Sequence, residues 1–284
     1  MNIEIIKPCG FCAGVKRAID LVQDALKNYN PVYCLGDLIH NETVISDLKK
    51  DGLIVIKDLS GLTGKDLSNS AVVIRSHGAK KEVYDFLKSN NVAIVDATCT
   101  IVKKIQGLCQ KFCRDGCNTI IFGDRLHHEV QSLMDYCDGK VDVIARIEDL
   151  SENVSLDNSI LISQSTKDEK QLLGLYEKLF KRGLPKSNFY NTICSDIKTR
   201  QKELDSLAGR VDIVLVLGSK QSANTANLFS IAKEKCSKSF LVSDLNELPE
   251  VKISESSSIA IATGASTPYN FLNSVTERIK NLYK

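Results

Sequence analysis

The stretch Val92-Ala-Ile-Val-Asp-Ala-Thr-Cys99-Thr-Ile-Val-Lys-Lys-Ile105 sets the reading of the whole chain. Val92 to Val95 is a short β-branched run with strand character, and Ile101 to Arg114 continues with apolar residues at helical spacing. Cys99 stands between them, where the head of a helix favours a thiolate; the plainer reading is a small core residue. The same grammar repeats outward in both directions. Strands are expected at Ile3 to Ile6, Val32 to Leu35, Ala71 to Ile74, Thr119 to Phe122, Val141 to Ala145, Ile160 to Ser163, Ile213 to Leu217, Phe240 to Val242 and Ser258 to Ala262. Helices are expected at Val15 to Lys27, Lys80 to Ser89, Lys167 to Arg182, Ile197 to Ala208, Ala223 to Cys236 and Tyr269 to Leu282. That alternation predicts α/β units on parallel sheets. Cys12 follows the first strand and Cys194 the short run Asn188 to Tyr190, each before a helix, at separations from Cys99 of 87 and 95 residues. The spacing predicts three similar α/β lobes, at 13–98, 99–193 and 194–284 together with 1–12. One strand of each lobe leads at its carboxyl end into one of these cysteines, where open parallel sheets bind ligands.

Composition narrows the classes further. The chain has 284 residues, 43% hydrophobic and 25% charged, which describes an ordinary globular protein and excludes collagen, coiled coil and disorder. A net charge of +2 gives no global field for a polyanion, so no nucleic-acid partner is expected. The longest apolar run, Ile213 to Leu217, is far short of a membrane span. The opening Met-Asn-Ile-Glu-Ile-Ile-Lys carries an acid where a secretory segment needs apolar residues, so a cytoplasmic location is expected. The serine-rich patch Ser254 to Ser258 reads as a surface loop.

Ten cysteines and four histidines carry the candidate chemistry. Cys9 and Cys12 form a C-x-x-C, open to a redox pair, half a zinc site or coincidence. Cys109, Cys113 and Cys117 recur every four residues and are expected to line the buried face of one helix; Cys34, Cys137 and Cys236 read as core. The histidines His40, His77, His127 and His128 are all expected in loops after strands, a placement that suits anion binding or proton transfer. Gly10-Phe-Cys-Ala-Gly14, Gly218-Ser-Lys-Gln-Ser-Ala-Asn224, Gly264-Ala-Ser266-Thr-Pro268 and Gln164-Ser-Thr166 are polar strand ends whose backbone and hydroxyl donors suit phosphate. Each alone is also an ordinary helix cap.

Taken in order, Gly10-Phe-Cys-Ala-Gly-Val15, Ile39-His-Asn41, Ser76-His-Gly78, Asp96-Ala-Thr-Cys99, His127 with Glu129, Gln164-Ser-Thr166, Thr192-Ile-Cys194, Gly218-Ser-Lys220 with Ser222 and Asn224, and Gly264-Ala-Ser-Thr-Pro268 resemble the LytB/IspH family over nearly the whole chain. That family contains the iron–sulfur 4-hydroxy-3-methylbut-2-enyl diphosphate reductases of non-mevalonate isoprenoid synthesis. The resemblance implies a trefoil of three α/β lobes in pseudo-threefold arrangement around a central [4Fe-4S] cluster. Cys12, Cys99 and Cys194 would hold the cluster and leave one iron open to the substrate's alcohol oxygen. It implies a diphosphate pocket of His40, His77, His127, Ser222, Asn224 and Ser266, with Glu129 delivering a proton and Thr166 orienting the hydroxyl. Reduced ferredoxin or flavodoxin would supply two electrons, and the products would be isopentenyl and dimethylallyl diphosphates. Four positions depart from the family pattern. Thr100 and His128 stand where proline is usual, Asp124 replaces a histidine, and Ala223 replaces a serine beside Ser222. Two other readings remain: a cluster-carrying sensor or scaffold without turnover, and a thiol-redox or zinc protein using Cys9 and Cys12.

Overall fold

In the computed structural model, residues 1–138, 141–151, 154–248 and 256–282 are described. Their strands are β1 Asn2–Ile5, β2 Val32–Leu35, β3 Leu53–Ile56, β4 Ala71–Ile74, β5 Ala93–Asp96, β6 Asn118–Phe122, β7 Val141–Ile144, β8 Ser159–Ser163, β9 Ile213–Leu217, β10 Ser239–Val242 and β11 Ser258–Thr263. They form three sheets, in the orders β1-β11-β9-β10, β3-β2-β4-β5 and β7-β6-β8, and every pairing is parallel. Parallel central strands are covered on both faces, which is why β4, Ala-Val-Val-Ile, and β9, Ile-Val-Leu-Val-Leu, are apolar without alternation and buried throughout.

The helices are α1 Ala13–Asn28, α2 Glu42–Lys50, α3 Lys81–Ser89, α4 Thr100–Arg114, α5 His128–Tyr136, α6 Glu169–Lys181, α7 Ser195–Ala208, α8 Ala223–Lys235 and α9 Tyr269–Leu282. The chain divides into two compact units. The smaller holds residues 1–16, 40–44 and 195–284 and contains the sheet of β1, β11, β9 and β10. Its core lies on both faces of β9 and β11: Val214, Val216, Ala260 and Ala262 pack with Leu204 and Leu228 on one face, and Leu215 and Ile261 with Leu272 and Val275 on the other. The larger holds residues 17–39 and 45–194 and contains the other two sheets.

The α/β reading stands, with corrections in detail. The edge strand β3 and the short helix α2 were not anticipated; β3 is buried at Leu53 and Ile56 and open between them, with Ile54 42% exposed, and α2 is only nine residues long. Asn188 to Tyr190 is not a strand. Lys186–Asn188 form a 3-10 turn after Pro185, and only Phe189 bridges to Leu161. Cys117 lies beyond the end of α4, so of the three periodic cysteines only Cys109 is fully buried. His128 is the first residue of α5 and not a loop residue, because His127 caps that helix. Of the serine-rich patch, Ser254 and Glu255 lie outside the described residues, while Ser257 is buried and Ser258 opens β11.

Candidate active site

In the smaller unit, the first parallel strand ends in a turn that delivers Cys12 to the head of α1. The backbone N–H of Cys12 donates to Ala265 O (3.0 Å), and the N–H of Val15 donates to Cys12 Sγ (3.4 Å), so the sulfur takes the place of a capping oxygen. The turn is held from below by Arg200 of α7. Its guanidinium, only 2% exposed, donates to Gly10 O (3.0 Å), to Thr263 O (2.9 Å) and to Thr263 Oγ1 (3.0 Å), and its Nε meets Asp196 Oδ2 at 2.7 Å.

The polar strand ends of this unit are also joined. Asn41 Nδ2 donates to Ser266 O (2.8 Å), and Ser266 Oγ donates to His40 O (3.1 Å), which fixes the His40 loop on the turn after β11. Ser222 caps α8, its Oγ accepting from Thr225 N at 3.3 Å, so the ordinary capping role is realised there. Asn224 is different. It is 3% exposed, and neither its Oδ1 nor its Nδ2 has a hydrogen-bond partner, nor has the neighbouring Thr225 Oγ1. Close packing explains the glycines around it. A Cβ on Gly218, whose φ is +150°, would meet Thr225 Oγ1 at 2.7 Å, and one on Gly264 would collide with the same atom.

In the larger unit, Cys99 caps α4 by position, and its N–H donates to Ser76 O (2.9 Å). Its turn is clamped from outside. Arg17 of α1 donates to Asp96 O (3.2 Å) and Thr98 O (3.1 Å), while Asp96 accepts from Thr98 N (3.0 Å) and pairs with Lys103 (2.7 Å). Burial pushes the Asp96 carboxyl up, but the bonds from Lys103 and Thr98 together hold its pKa below the ordinary value.

Cys194 also precedes a helix, α7, and donates its N–H to Ser165 O (2.9 Å). Ser165 serves a second residue. Its N–H (2.6 Å) and hydroxyl (2.8 Å) both donate to the carboxylate of Glu129, which is 1% exposed rather than a surface glutamate. Burial raises the Glu129 pKa, and the two bonds from Ser165 oppose that rise without cancelling it. His127 Nδ1 accepts from Glu129 N (3.2 Å), which puts the ring proton on Nε2, and the rings of His77 and His127 meet edge to face at 5.3 Å. Thr166 Oγ1 accepts from Gln164 Nε2 (3.0 Å).

Ser165, Arg17 and Arg200 were not anticipated as site residues. Ser165 had a signal, its place between Gln164 and Thr166. The arginines had none, because an arginine in an amphipathic helix reads as solvent-facing. Cys9 is half-buried and packs against the apolar cluster of Ile213, Leu215 and Ile261.

These features define a parallel α/β protein with cysteines at the heads of helices, a buried carboxyl whose pKa is raised and an unsatisfied buried amide. The particular family follows from comparison. Residues 3–280 match the LytB protein family, and the chain belongs to it. It is 36% identical to a 4-hydroxy-3-methylbut-2-enyl diphosphate reductase of Thermoanaerobacter sp. (strain X514), covering 99% of this chain and 98% of that one. It is also 36% identical to the protein of that name from Helicobacter pylori (strain Shi470), covering 99% and 100%. Among solved structures, the fold superposes on the E-1-hydroxy-2-methyl-but-2-enyl-4-diphosphate reductase from Plasmodium falciparum with a TM-score of 0.88 at 24% identity, covering 99% of this chain and 87% of that one. A solved (E)-4-hydroxy-3-methyl-but-2-enyl diphosphate reductase, titled the terminal enzyme of the non-mevalonate pathway, gives 0.71 at 30% identity, with coverage of 99% and 100%. Among the described residues no helix is long and apolar enough to cross a membrane.

Proposed function

We infer that this chain is a 4-hydroxy-3-methylbut-2-enyl diphosphate reductase, the terminal enzyme of non-mevalonate isoprenoid synthesis. The substrate's allylic C–O bond breaks, two electrons and two protons enter, and water leaves with isopentenyl or dimethylallyl diphosphate. The single observation that supports it most is Glu129, a buried carboxyl whose pKa is raised, held by Ser165 on the turn that also fixes Cys194. An alcohol oxygen leaves poorly as hydroxide, so a proton must reach it, and a buried carboxyl whose pKa is raised is suited to supply it.

The three cysteines fit an iron–sulfur group on the chemistry of their surroundings. Each stands at the head of a helix, where the backbone N–H groups favour a thiolate, and none is in a disulfide. Cys12, Cys99 and Cys194 would hold one [4Fe-4S] cluster. When bound, the cluster would supply electrons and, with only three thiolates, one iron able to act as a Lewis acid. The lobes 13–98, 99–193 and 194–284 with 1–12 are the three structural units of that reading, each built on one of the three parallel sheets.

Diphosphate binding falls to His40, His77, His127, Ser222, Asn224 and Ser266. Asn224 supports this directly, since a buried amide without partners costs free energy that a ligand's oxygens would recover. His127 offers its Nε2–H as a donor. Ser222 accepts from the helix and keeps its hydroxyl proton for an anion, whereas the Ser266 proton is held by His40 O and must turn to serve. Thr166 orients the substrate hydroxyl toward Glu129. The setting is cytoplasmic, with reduced ferredoxin or flavodoxin as donor.

The sensor reading leaves the raised acid and the orphaned amide without a task. The thiol-redox or zinc reading is disfavoured by Cys9, which packs against apolar core and forms no disulfide. Anaerobic purification followed by iron and sulfide analysis tests the proposal. Single Cys→Ser changes at Cys12, Cys99 and Cys194 are expected to remove most iron and all turnover, and changes at Cys9, Cys109, Cys113 or Cys117 neither. Zinc without sulfide, or a full cluster in Cys194→Ser, overturns the ligand set.

A further inference from the structure

Within the larger unit a separate cleft of about 500 Å³ is lined by Arg75, Lys57, Lys80, His128, Gln131 and Ser60, with an apolar wall of Leu35, Leu59, Ala79 and Val83. It contains none of the residues assigned to the reductase site. Its volume lies within the range of small-molecule pockets, about 300 to 1,000 Å³.

Arg75 is the centre of the argument. Its guanidinium is half-buried, and among the described residues it has neither a hydrogen-bond partner nor an ion pair. A partly desolvated guanidinium with five donors and no acceptor among the described residues leaves binding capacity that a ligand's oxygens can take up. The surrounding acids do not fill that capacity. Asp58 accepts from the N–H and hydroxyl of Ser60, Glu82 pairs with Lys80 at 3.6 Å, and Asp37 is exposed and acts on Arg75 only through space. The neighbouring Cys34 is no counter-ion, because burial pushes its thiol up to about 12.

The side chain's course is built into the backbone. It crosses Gly36, φ +75°, so closely that a Cβ there would lie 2.7 Å from Nη1. On the facing helix, His128 occupies a position where the family has proline, and partial burial and the Arg75 charge both hold its pKa below the ordinary histidine value. At neutral pH it is therefore a neutral donor and acceptor, in hydrogen-bond contact with Gln131.

The geometry points to a second anion site, in which Arg75 and Lys57 bind the phosphate or diphosphate of a small molecule whose short apolar group lies on Leu35, Leu59 and Val83. A planar guanidinium is matched to phosphate oxygens two at a time.

Calorimetric titration of the whole protein, purified anaerobically, with inorganic diphosphate and with dimethylallyl diphosphate tests it. Two classes of site are expected. Arg75→Ala should weaken one at least about tenfold. Lys57→Glu, a change at an exposed residue that does not threaten folding, should weaken the same site at least about threefold. The prenyl compound should hold that site at least about threefold tighter than inorganic diphosphate, through burial of its methyl groups. Asn224→Ala should weaken only the other class, about tenfold, so its failure would count against the reductase pocket and not against this one. Arg75→Ala and Lys57→Glu titrations that overlay the wild type, a single class weakened in Asn224→Ala, or equal affinity for the two compounds each overturn the assignment.

Discussion

Two successive helices of the smaller unit, α7 and α8, pack together, and each carries a deeply buried polar side chain in opposite circumstances. Arg200 on α7 has partners on all three of its nitrogens, whereas Asn224 on α8, equally removed from solvent, has none on either side-chain atom. Folding stability favours the first arrangement and is reduced by the second. Arg200 holds the Cys12 turn; the unsatisfied amide of Asn224 fits the binding role proposed for it above, since a ligand could supply the partners it lacks.

The largest expected effect breaks the satisfied side of that contrast. Arg200→Leu removes a buried cation and orphans Gly10 O and Thr263 O, so the unfolding free energy should fall by roughly 3 to 5 kcal/mol in urea titration. A loss below about 1 kcal/mol would place Arg200 with ordinary surface pairs and erase the comparison.

Glu129 lies between the two cases, satisfied by Ser165 yet proposed above as the proton donor. Glu129→Gln keeps shape and burial but has no proton to give. Turnover should drop about 100-fold while iron content and substrate affinity stay near wild type. Wild-type turnover would remove Glu129 from the mechanism and move the search to His127 or His128.

The contrast also shows what the sequence could reveal. Strands β2, β4 and β9 were legible to the residue, because a buried parallel strand is an unbroken apolar run. The edge strand β3, itself the unbroken run Leu-Ile-Val-Ile, carried the same signal but was not anticipated, while the expected strand before Cys194 proved to be one bridge, since its contact with Leu161 depends on the tertiary fold and not on local pattern. The cysteines and histidines stood out by residue type and place after strands, and Glu129 only through the family resemblance; its burial had no signal, since a glutamate early in a helix reads as solvent-facing. What Arg200, Arg17 and Ser165 do was not legible, because their partners are backbone carbonyls and a carboxylate up to 190 residues away along the chain.

A smaller effect is expected on the unsatisfied side. Asn224→Ala deletes two orphaned polar atoms, so the ligand-free protein should lose no stability and could gain up to about 1 kcal/mol. Binding of the diphosphate substrate should nevertheless weaken about tenfold, the worth of one hydrogen bond to a charged oxygen. Destabilisation of the ligand-free protein by more than about 1 kcal/mol would mean that Asn224 is structural after all.

The smallest and most diagnostic effect belongs to Ser165→Ala, which removes the 2.8 Å hydroxyl bond to Glu129 and leaves the 2.6 Å bond from the backbone N–H. Burial raises the Glu129 pKa and the hydroxyl lowers it, so the variant's pKa must move further up. A carboxyl whose folded pKa exceeds its unfolded one binds its proton more tightly when folded. Its contribution to stability is then fully present at acid pH and is lost as pH rises from the ordinary glutamate value through the raised one. In Ser165→Ala that loss should extend to higher pH, with about 1 kcal/mol less stability than wild type on the alkaline side and a smaller difference at acid pH. Glu129→Gln should abolish this slope altogether. If Glu129 is the proton donor proposed above, the alkaline limb of the turnover profile should move up in Ser165→Ala, the opposite of what simple damage to the site produces. Unfolding free energies and turnover measured across the same pH range for the three proteins separate the cases, and a limb that stays in place would leave the backbone N–H alone in control of the Glu129 proton.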